Sequence, residues 1–592
     1  MSTTTSTYLI KLGLGSVQRF IGAARRSRDL WAGSWLVADV VKAAARYLHE
    51  QGGTVTLIFP ASDNPAKDLA ADYDFQPSNV VLAQVQTDDP VQTDDPAAIV
   101  NGALDAARAR WRELNEQALA DLQERLHRST VKVDEDVWRE QAEDALDLFG
   151  VWLPWSNPAA NPPLADLEAL YSARKRTRTF RAHPVETQRD KSSLDARGES
   201  VVRDGNALTP RLRYRLGLNS TEHLDATGWT KRLGTRLRGA RRRFTPLIRV
   251  ALDPWLRKWA ETADLASRLD GLREDCRKLA RYGVVTRVDA SCYRSFPYDA
   301  ELLWPTRWRA ARRALGDIDH LERGQKRLQT FQRHYRALAD LIEEKFPAHR
   351  LREPYLAIIC ADGDQLGKIQ EKCSLQQLRD LSRFLSRFAL TVRDTVAEYK
   401  GDCIYAGGDE LLALAPLDML WDCLKELRGK FVTGIAEWKS KWQLLNVDSD
   451  YSIGVAIVHA FERDALALAR EALALAKNVA AEEEKERRRA LGIVYQPRSG
   501  ATVRARLRWT PVGQPQPTTS LQAWQEAFHA RKLPKRTPYV LRQLLDTHSW
   551  VFENYSEAKE VLPVEIRRVL ARRQPAEPGA GAGPAPLEQL AT

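Results

Sequence analysis

From Tyr8 to Leu14 the chain reads YLIKLGL, alternating about a lysine and a glycine until Gly15 ends the run. A period of two predicts a half-buried strand. From Val17 to Glu50 the apolar residues recur every three or four positions, which predicts one long amphipathic helix stopped by Gly52-Gly53. TVTLIFP (Thr54–Pro60) and NVVLAQV (Asn79–Val85) predict a second and a third strand. A helix is predicted over Ala97–His127 and a fourth strand over Gly150–Trp155. The order β-α-β-β-α-β is that of a ferredoxin-like unit. The doubled hexapeptide VQTDDPVQTDDP (Val85–Pro96) is acidic and ends in proline, as a surface loop would.

The same pattern returns later. YLAIIC (Tyr355–Cys360) predicts a strand, Leu375–Tyr399 a helix with Ser374 as N-cap, and Asp402–Ala406 and Leu411–Ala415 two more strands. A helix over about Leu417–Trp438, the strand YSIGVAIV (Tyr451–Val458) and a helix starting near Arg463 complete a second β-α-β-β-α-β series. Between the two series, Arg174–Phe244 is basic with interspersed Gly and Pro, and Pro254–Phe346 is helical in pattern. After Trp509 a short helical segment runs to about Arg573, and the tail QPAEPGAGAGPAPLEQLAT is of low complexity. The predicted divisions are 1–173, 174–350, 351–510, 511–573 and 574–592.

Composition adds boundary conditions. A chain of 592 residues exceeds a single core and implies several domains. A net charge of +11 favours polyanionic partners. The six cysteines form no CxxC pair, which argues against a zinc knuckle or a disulfide framework. No apolar stretch reaches membrane-spanning length, and the start MSTTTSTYLIKL lacks a leader pattern, so a cytoplasmic protein is expected.

The chemistry concentrates in CIYAGGDELLAL (Cys403–Leu414). In a ferredoxin-like unit the tip of the hairpin between strands two and three lies beside the end of strand one. That places Asp409 and Glu410 near Asp362 and Asp364 of DGDQLG. Three or four carboxylates on one edge repel each other unless a cation sits among them. Oxygen ligands with room for water and phosphate suit Mg²⁺ or Mn²⁺. Gly407 and Gly408 permit a tight turn and leave space for a nucleotide against the backbone. These parts suit two-metal nucleotidyl transfer, with Asp409, Glu410 and Asp362 as the catalytic acids.

These motifs resemble the palm fold shared by GGDEF diguanylate cyclases and the large subunit of type III CRISPR effector complexes. Gly13–Ala44, His223–Gly234 (HLDATGWTKRLG), Val250–Trp259 (VALDPWLRKW), Ser452–Lys477 and Gln496–Trp509 are similar to the Cmr-type, subtype III-B, form. The resemblance implies an α+β fold of two ferredoxin-like palm domains, nucleotide-cyclase-like, with helical domains between and after them. It implies guide crRNA, target RNA and other Cmr subunits as partners, ATP as substrate and cyclic oligoadenylate as product. On the family's pattern Asp362 and Asp409 are metal ligands, with Gly363 and Asp364 adjoining, and Lys477 lies near the triphosphate. Ser16, Arg25, Arg28 and Asp29 are candidates for holding a second ATP between the palms.

Three departures qualify the likeness. None of the ten histidines precedes an Asp, so no HD-type DNA cleavage is expected from this chain. The family's zinc knuckle is replaced by SSLDARGESVVRDG, without cysteine, so no zinc is expected. The usual GGDD is GGDE. The alternatives are a catalytically silent scaffold of the same complex and a stand-alone diguanylate cyclase. The latter is disfavoured by Leu411 in place of the GGDEF phenylalanine.

Overall fold

A computed structural model describes residues 6–15, 17–71, 73, 75–87, 95–177, 189–203, 207–218, 221–237, 245–289, 291–315, 321–444, 449–478, 488–510, 515–554 and 558–572. Strands β1 (Ser6–Leu14), β2 (Val55–Phe59), β3 (Val80–Thr87) and β4 (Leu148–Pro154) form one sheet in the order β2-β3-β1-β4. β1 runs antiparallel to both β3 and β4, which is the ferredoxin-like arrangement. Helices Ser27–Glu50 and Pro96–Leu126 bury Trp35, Val40, Leu104 and Trp111 in a core shared with the sheet. Asp95 caps the second of these, accepting from the Ala97 amide at 3.0 Å, with Pro96 at the first helical position.

The single helix expected over Val17–Glu50 is two helices, Val17–Gly22 and Ser27–Glu50. Arg26 is extended between them. Lys231, buried on the helix Ala226–Leu237, donates to the carbonyls of Phe20 and Ala23, so the freed backbone acceptors have a cation to bind. The break is stabilised by a residue two hundred positions away, which local periodicity does not register.

The second sheet has six strands: β5 (Tyr355–Gly363), β6 (Asp402–Gly407), β7 (Glu410–Ala415), β8 (Tyr451–His459), β9 (Ala490–Tyr495) and β10 (Val503–Arg508). Their order is β10-β9-β8-β5-β7-β6. The last four in that order repeat the ferredoxin-like layout. β9 pairs parallel with β8 through the crossover helix Ala465–Lys477, an extension the hydrophobic pattern did not indicate. Helix Leu375–Glu398 begins at Ser374, whose hydroxyl accepts from the Gln377 amide while the Gln377 side chain accepts from the Ser374 amide, a reciprocal capping box.

Between the sheets, helices Leu247–Glu261, Ala263–Leu279, Trp308–Leu315 and Leu321–Lys345 share a core that includes Trp259, Phe296 and Phe331. These segments belong to one compact unit, comprising residues 1–420 and 427–506. A second unit is formed by residues 421–426 and 507–592. Its helices Pro517–His529, Thr537–Asn554 and Ala558–Ala571 gather around Ala527, Leu533 and Leu570, and Trp421 donates to Gln525 at 3.0 Å. Among the described residues, no helix is long and apolar enough to cross a membrane.

Candidate active site

Asp409 sits in a two-residue turn between β6 and β7, where Gly407 pairs with Glu410. The first turn position, Gly408, has φ +66°, a conformation costly for any residue with a Cβ. Gly407 meets a different demand. A Cβ there would lie 2.2 Å from the Tyr405 hydroxyl. That hydroxyl bonds the Glu410 carboxylate, so the glycine admits a tyrosine rather than a nucleotide.

β5 delivers the partner acid. Ala361 pairs with Leu411, so Asp362 and Glu410 follow as neighbours across the two strands. The Gly363 amide donates to Asp409 Oδ2 at 3.2 Å, and a Cβ on Gly363 would stand 3.0 Å from the Asp409 side chain. Asp362, Gly363, Asp409 and Glu410 are therefore brought together from two segments separated by more than forty residues.

The electrostatics are those of a site short of positive charge. Burial raises the Asp409 carboxyl to about 8, and the neighbouring Asp362 and Glu410 charges add to the shift. Burial and Asp362 also raise Glu410, against the bond from Tyr405 and the charge of Lys477. Lys477, the last residue of the crossover helix, forms an ion pair with Asp362. It is thus placed on the carboxylate edge. A divalent cation fits this donor set, since it would relieve the repulsion that Lys477 only partly offsets.

Asp364 departs from the expectation. It is buried, and both of its carboxylate oxygens accept from the Ser452 hydroxyl, at 2.8 and 2.9 Å; the Arg489 amide donates at 3.0 Å. Its own amide donates to the Asp450 carbonyl at 2.9 Å. Burial raises its carboxyl to about 6. β5 ends at Gly363, so the two-residue alternation that would govern the side chains beyond it no longer applies. Asp364 anchors the turn after β5 and does not join the cluster. Among the described residues, no three His, Cys, Asp or Glu side chains converge as a metal-holding group. The edge of three or four carboxylates expected from the sequence reduces to Asp362 and Asp409 as a candidate ligand pair with Glu410 beside them.

Asp409 and Gly408 open onto a cavity of about 320 Å³ whose opposite wall comes from the first palm-like domain. Phe59, Pro60, Gln76 and Ser78 line that wall; Gln370, Ser382 and Ser386 line the other. Hydrogen bonds stitch the walls together. Ser382 Oγ accepts from the Ala61 amide at 2.7 Å, and Ser34 Oγ donates to the Ile404 carbonyl at 3.1 Å. Gln76 Oε1 accepts from the Ala406 amide at 3.5 Å, bracing the strand that leads into the turn, while its buried Nε2 has no partner among the described residues. No periodicity marks Gln76, which lies in the irregular connection before β3.

The candidates from the first domain fare differently. Ser16 lies outside the described residues. Arg25 is exposed. Asp29 is buried and accepts from Arg232 Nε and Nη2 at 2.7 and 2.8 Å, and Arg232 also pairs with Glu222 at 2.8 Å. Burial alone would raise the Asp29 carboxyl, but Arg232 holds it below its ordinary value. Burial, with Arg26 beside it, lowers Arg28 to about 10. Asp29 is a structural anchor between the helices Ser27–Glu50 and Ala226–Leu237 and is not free to hold a ligand.

Two family models match the chain. Residues 9–125 match the N-terminal region of the CRISPR-associated protein Cmr2, and residues 355–488 match the second palm domain of Cas10/Cmr2. No curated protein matches. Among solved structures, a chain in the apo state of a type III-B Cmr-beta complex is similar with TM-score 0.62 and 12% identity, over 99% of this chain and 79% of that one. A chain in Cmr-beta bound to cognate target RNA is similar with TM-score 0.61 and 13% identity, over 100% and 80%. At this identity the likeness is one of fold.

Proposed function

We propose that the chain, which matches Cas10/Cmr2 models over residues 9–125 and 355–488, is the large subunit of a type III-B RNA-guided complex that makes cyclic oligoadenylate from ATP when target RNA is bound. One observation carries the proposal: Asp409 is held at the Gly363 amide beside Asp362, and it opens onto a cavity walled by both palms. The guide crRNA and the other Cmr subunits are the partners this reading requires.

Asp362 and Asp409 would hold Mg²⁺ or Mn²⁺. Such ions, when bound, lower the proton affinity of an attacking 3′-hydroxyl and neutralise charge on the departing pyrophosphate. The rest is positioning by the chain's own groups. Gly363 fixes the Asp409 carboxylate by its amide. Tyr405 orients Glu410. Lys477 can pass from Asp362 to a phosphate of the incoming nucleotide, which frees the carboxylate. The unpartnered Gln76 amide and the Ser382 and Ser386 hydroxyls offer hydrogen bonds to a nucleotide in the cavity. Residues 9–125 and 355–488 supply the two walls, so one chain holds both the donor and the acceptor side.

The test is a complex purified with its native partners and supplied with ATP, Mg²⁺ or Mn²⁺, with and without complementary RNA. Mass analysis is expected to find cyclic adenylates only with the RNA, and about 100- to 1000-fold less of them from Asp409→Asn. A second reading, a silent scaffold, is favoured by the Lys477–Asp362 pair, which occupies a proposed ligand. Absence of any ATP-derived cyclic product under all four conditions would establish it.

A further inference from the structure

The helix Trp308–Leu315 presents Arg309, Arg312 and Arg313 to solvent, and among the described residues none of them has an acidic partner. Its neighbour Leu321–Lys345 presents Arg323, Arg327 and Arg333 in the same condition. Three contacts fix the relation of the helices. Arg336 lies over the Trp308 ring at 5.6 Å, Tyr335 meets that ring edge to face, and a Cβ on Gly324 would stand 2.9 Å from Leu315. The short helix therefore runs antiparallel along the first half of the long one. The helical rise from Gly324 to Tyr335 makes that shared length about 17 Å.

Several surface arginines on other helices of this chain are paired. Arg108 meets Asp105, Arg139 meets Glu135, Arg273 meets Asp270 and Arg277 meets Glu274, each within about one helical turn. The last two pairs lie on Ala263–Leu279, the helix packed against Leu321–Lys345. From Pro305 to Leu315 there are four arginines and no carboxylate; Asp317 and Asp319 follow in the joining segment, outside the described residues. On the long helix Glu322 is taken by Lys326, and the next acids, Asp340, Glu343 and Glu344, fall in its far half. Six exposed guanidinium groups on two packed helices have no acidic partner among the described residues. They suit a ligand that brings a row of negative charges.

We propose that the paired helices Trp308–Leu315 and Leu321–Lys345 form a docking surface for the phosphate backbone of an RNA strand, separate from the carboxylate site. Guanidinium groups on neighbouring turns can each bond a phosphate by two N–H donors, and the contact would read backbone and not sequence. The proposal rests on the reading of the chain as part of an RNA-guided complex, but its test does not use ATP turnover.

The purified full-length chain is titrated into a fluorescein-labelled, unstructured RNA of about twenty nucleotides, and anisotropy is read from about 50 to 200 mM salt. Two triple variants are compared with wild type: Arg309→Gln/Arg312→Gln/Arg313→Gln, and Arg323→Gln/Arg327→Gln/Arg333→Gln. A control removes the same charge from paired arginines: Arg108→Gln/Arg139→Gln/Arg273→Gln. Each patch variant is expected to bind roughly tenfold more weakly or worse and to lose about 2 from the slope of log affinity on log salt, three contacts at roughly 0.7 each. The control stays within about twofold of wild type. Equal weakening in the control, unchanged binding in both patch variants, or no binding by wild type would overturn the proposal. So would poly-L-glutamate displacing the RNA at equal charge concentration, which would assign the surface to an acidic protein. Loss of cyclic adenylate synthesis with this binding intact would instead count against the active-site reading alone.

Discussion

The two palm-like domains share a layout and treat their buried carboxylates in opposite ways. In the first, Asp29 is closed off by a bidentate arginine and lies below its ordinary pKa. In the second, burial raises Asp409 to about 8, with like charges for neighbours adding to the rise. The first arrangement is complete as it stands and holds two helices together. The second is a cluster of like charges that Lys477 offsets only in part. The connections differ to match: β6 and β7 join through two residues, whereas β2 and β3 are separated by Pro60–Asn79, which carries Gln76 and Ser78 toward the neighbouring turn. A shared fold therefore says little about chemistry. The charge balance at the strand ends says more.

The comparison breaks first at Arg232. Arg232→Met removes the guanidinium that bonds both Asp29 and Glu222 and is expected to cost about 3–5 kcal/mol, seen as a large fall in Tm. A Tm shift of only a degree or two would show that the pair is dispensable. Next is Asp409→Asn, expected to lower cyclic adenylate formation by about 100- to 1000-fold in the assembled complex while leaving Tm equal or higher. The sign follows from linkage. The folded-state value of this acid lies above its unfolded value, so without metal the wild type loses stability as pH rises from about 4 to about 8. The Tm gap between the Asp409→Asn variant and wild type should widen over that window, and Mg²⁺ should narrow it. A constant gap would contradict the assigned repulsion.

Smaller effects sharpen the picture. Gly408→Val forces a β-branched residue to positive φ at a cost of about 1–2 kcal/mol. Its activity should fall roughly tenfold with little change in ATP KM, since the turn positions Asp409. Gln76→Ala removes a contact from the first domain worth about 1 kcal/mol. It should raise KM several-fold and lower Tm by a few degrees, since the Ala406 amide loses its acceptor. An unchanged KM would remove the first domain from nucleotide binding.

Much of this was legible in the chain. Both β-α-β-β-α-β series, the Ser374 cap and the approach of Asp362 to Asp409 follow from period, turn residues and sheet topology. The rest depends on long-range contacts or on polar strands. β10 reads VRARLR and exposes much of itself, so it carries no clear apolar face, and β9 pairs only through a crossover. Asp364 turned inward because its strand stopped one residue short of it. The Asp29–Arg232 pair joins residues two hundred apart, and Gln76 lies in an irregular connection. No local signal encodes either.

The cavity has a kinetic corollary. Because one polypeptide furnishes both of its walls, the proposed turnover should be first order in the assembled complex, with no second copy of the chain required. Catalysts that assemble a comparable cleft from two identical half-sites lose activity as they dissociate; here covalent linkage has replaced that encounter.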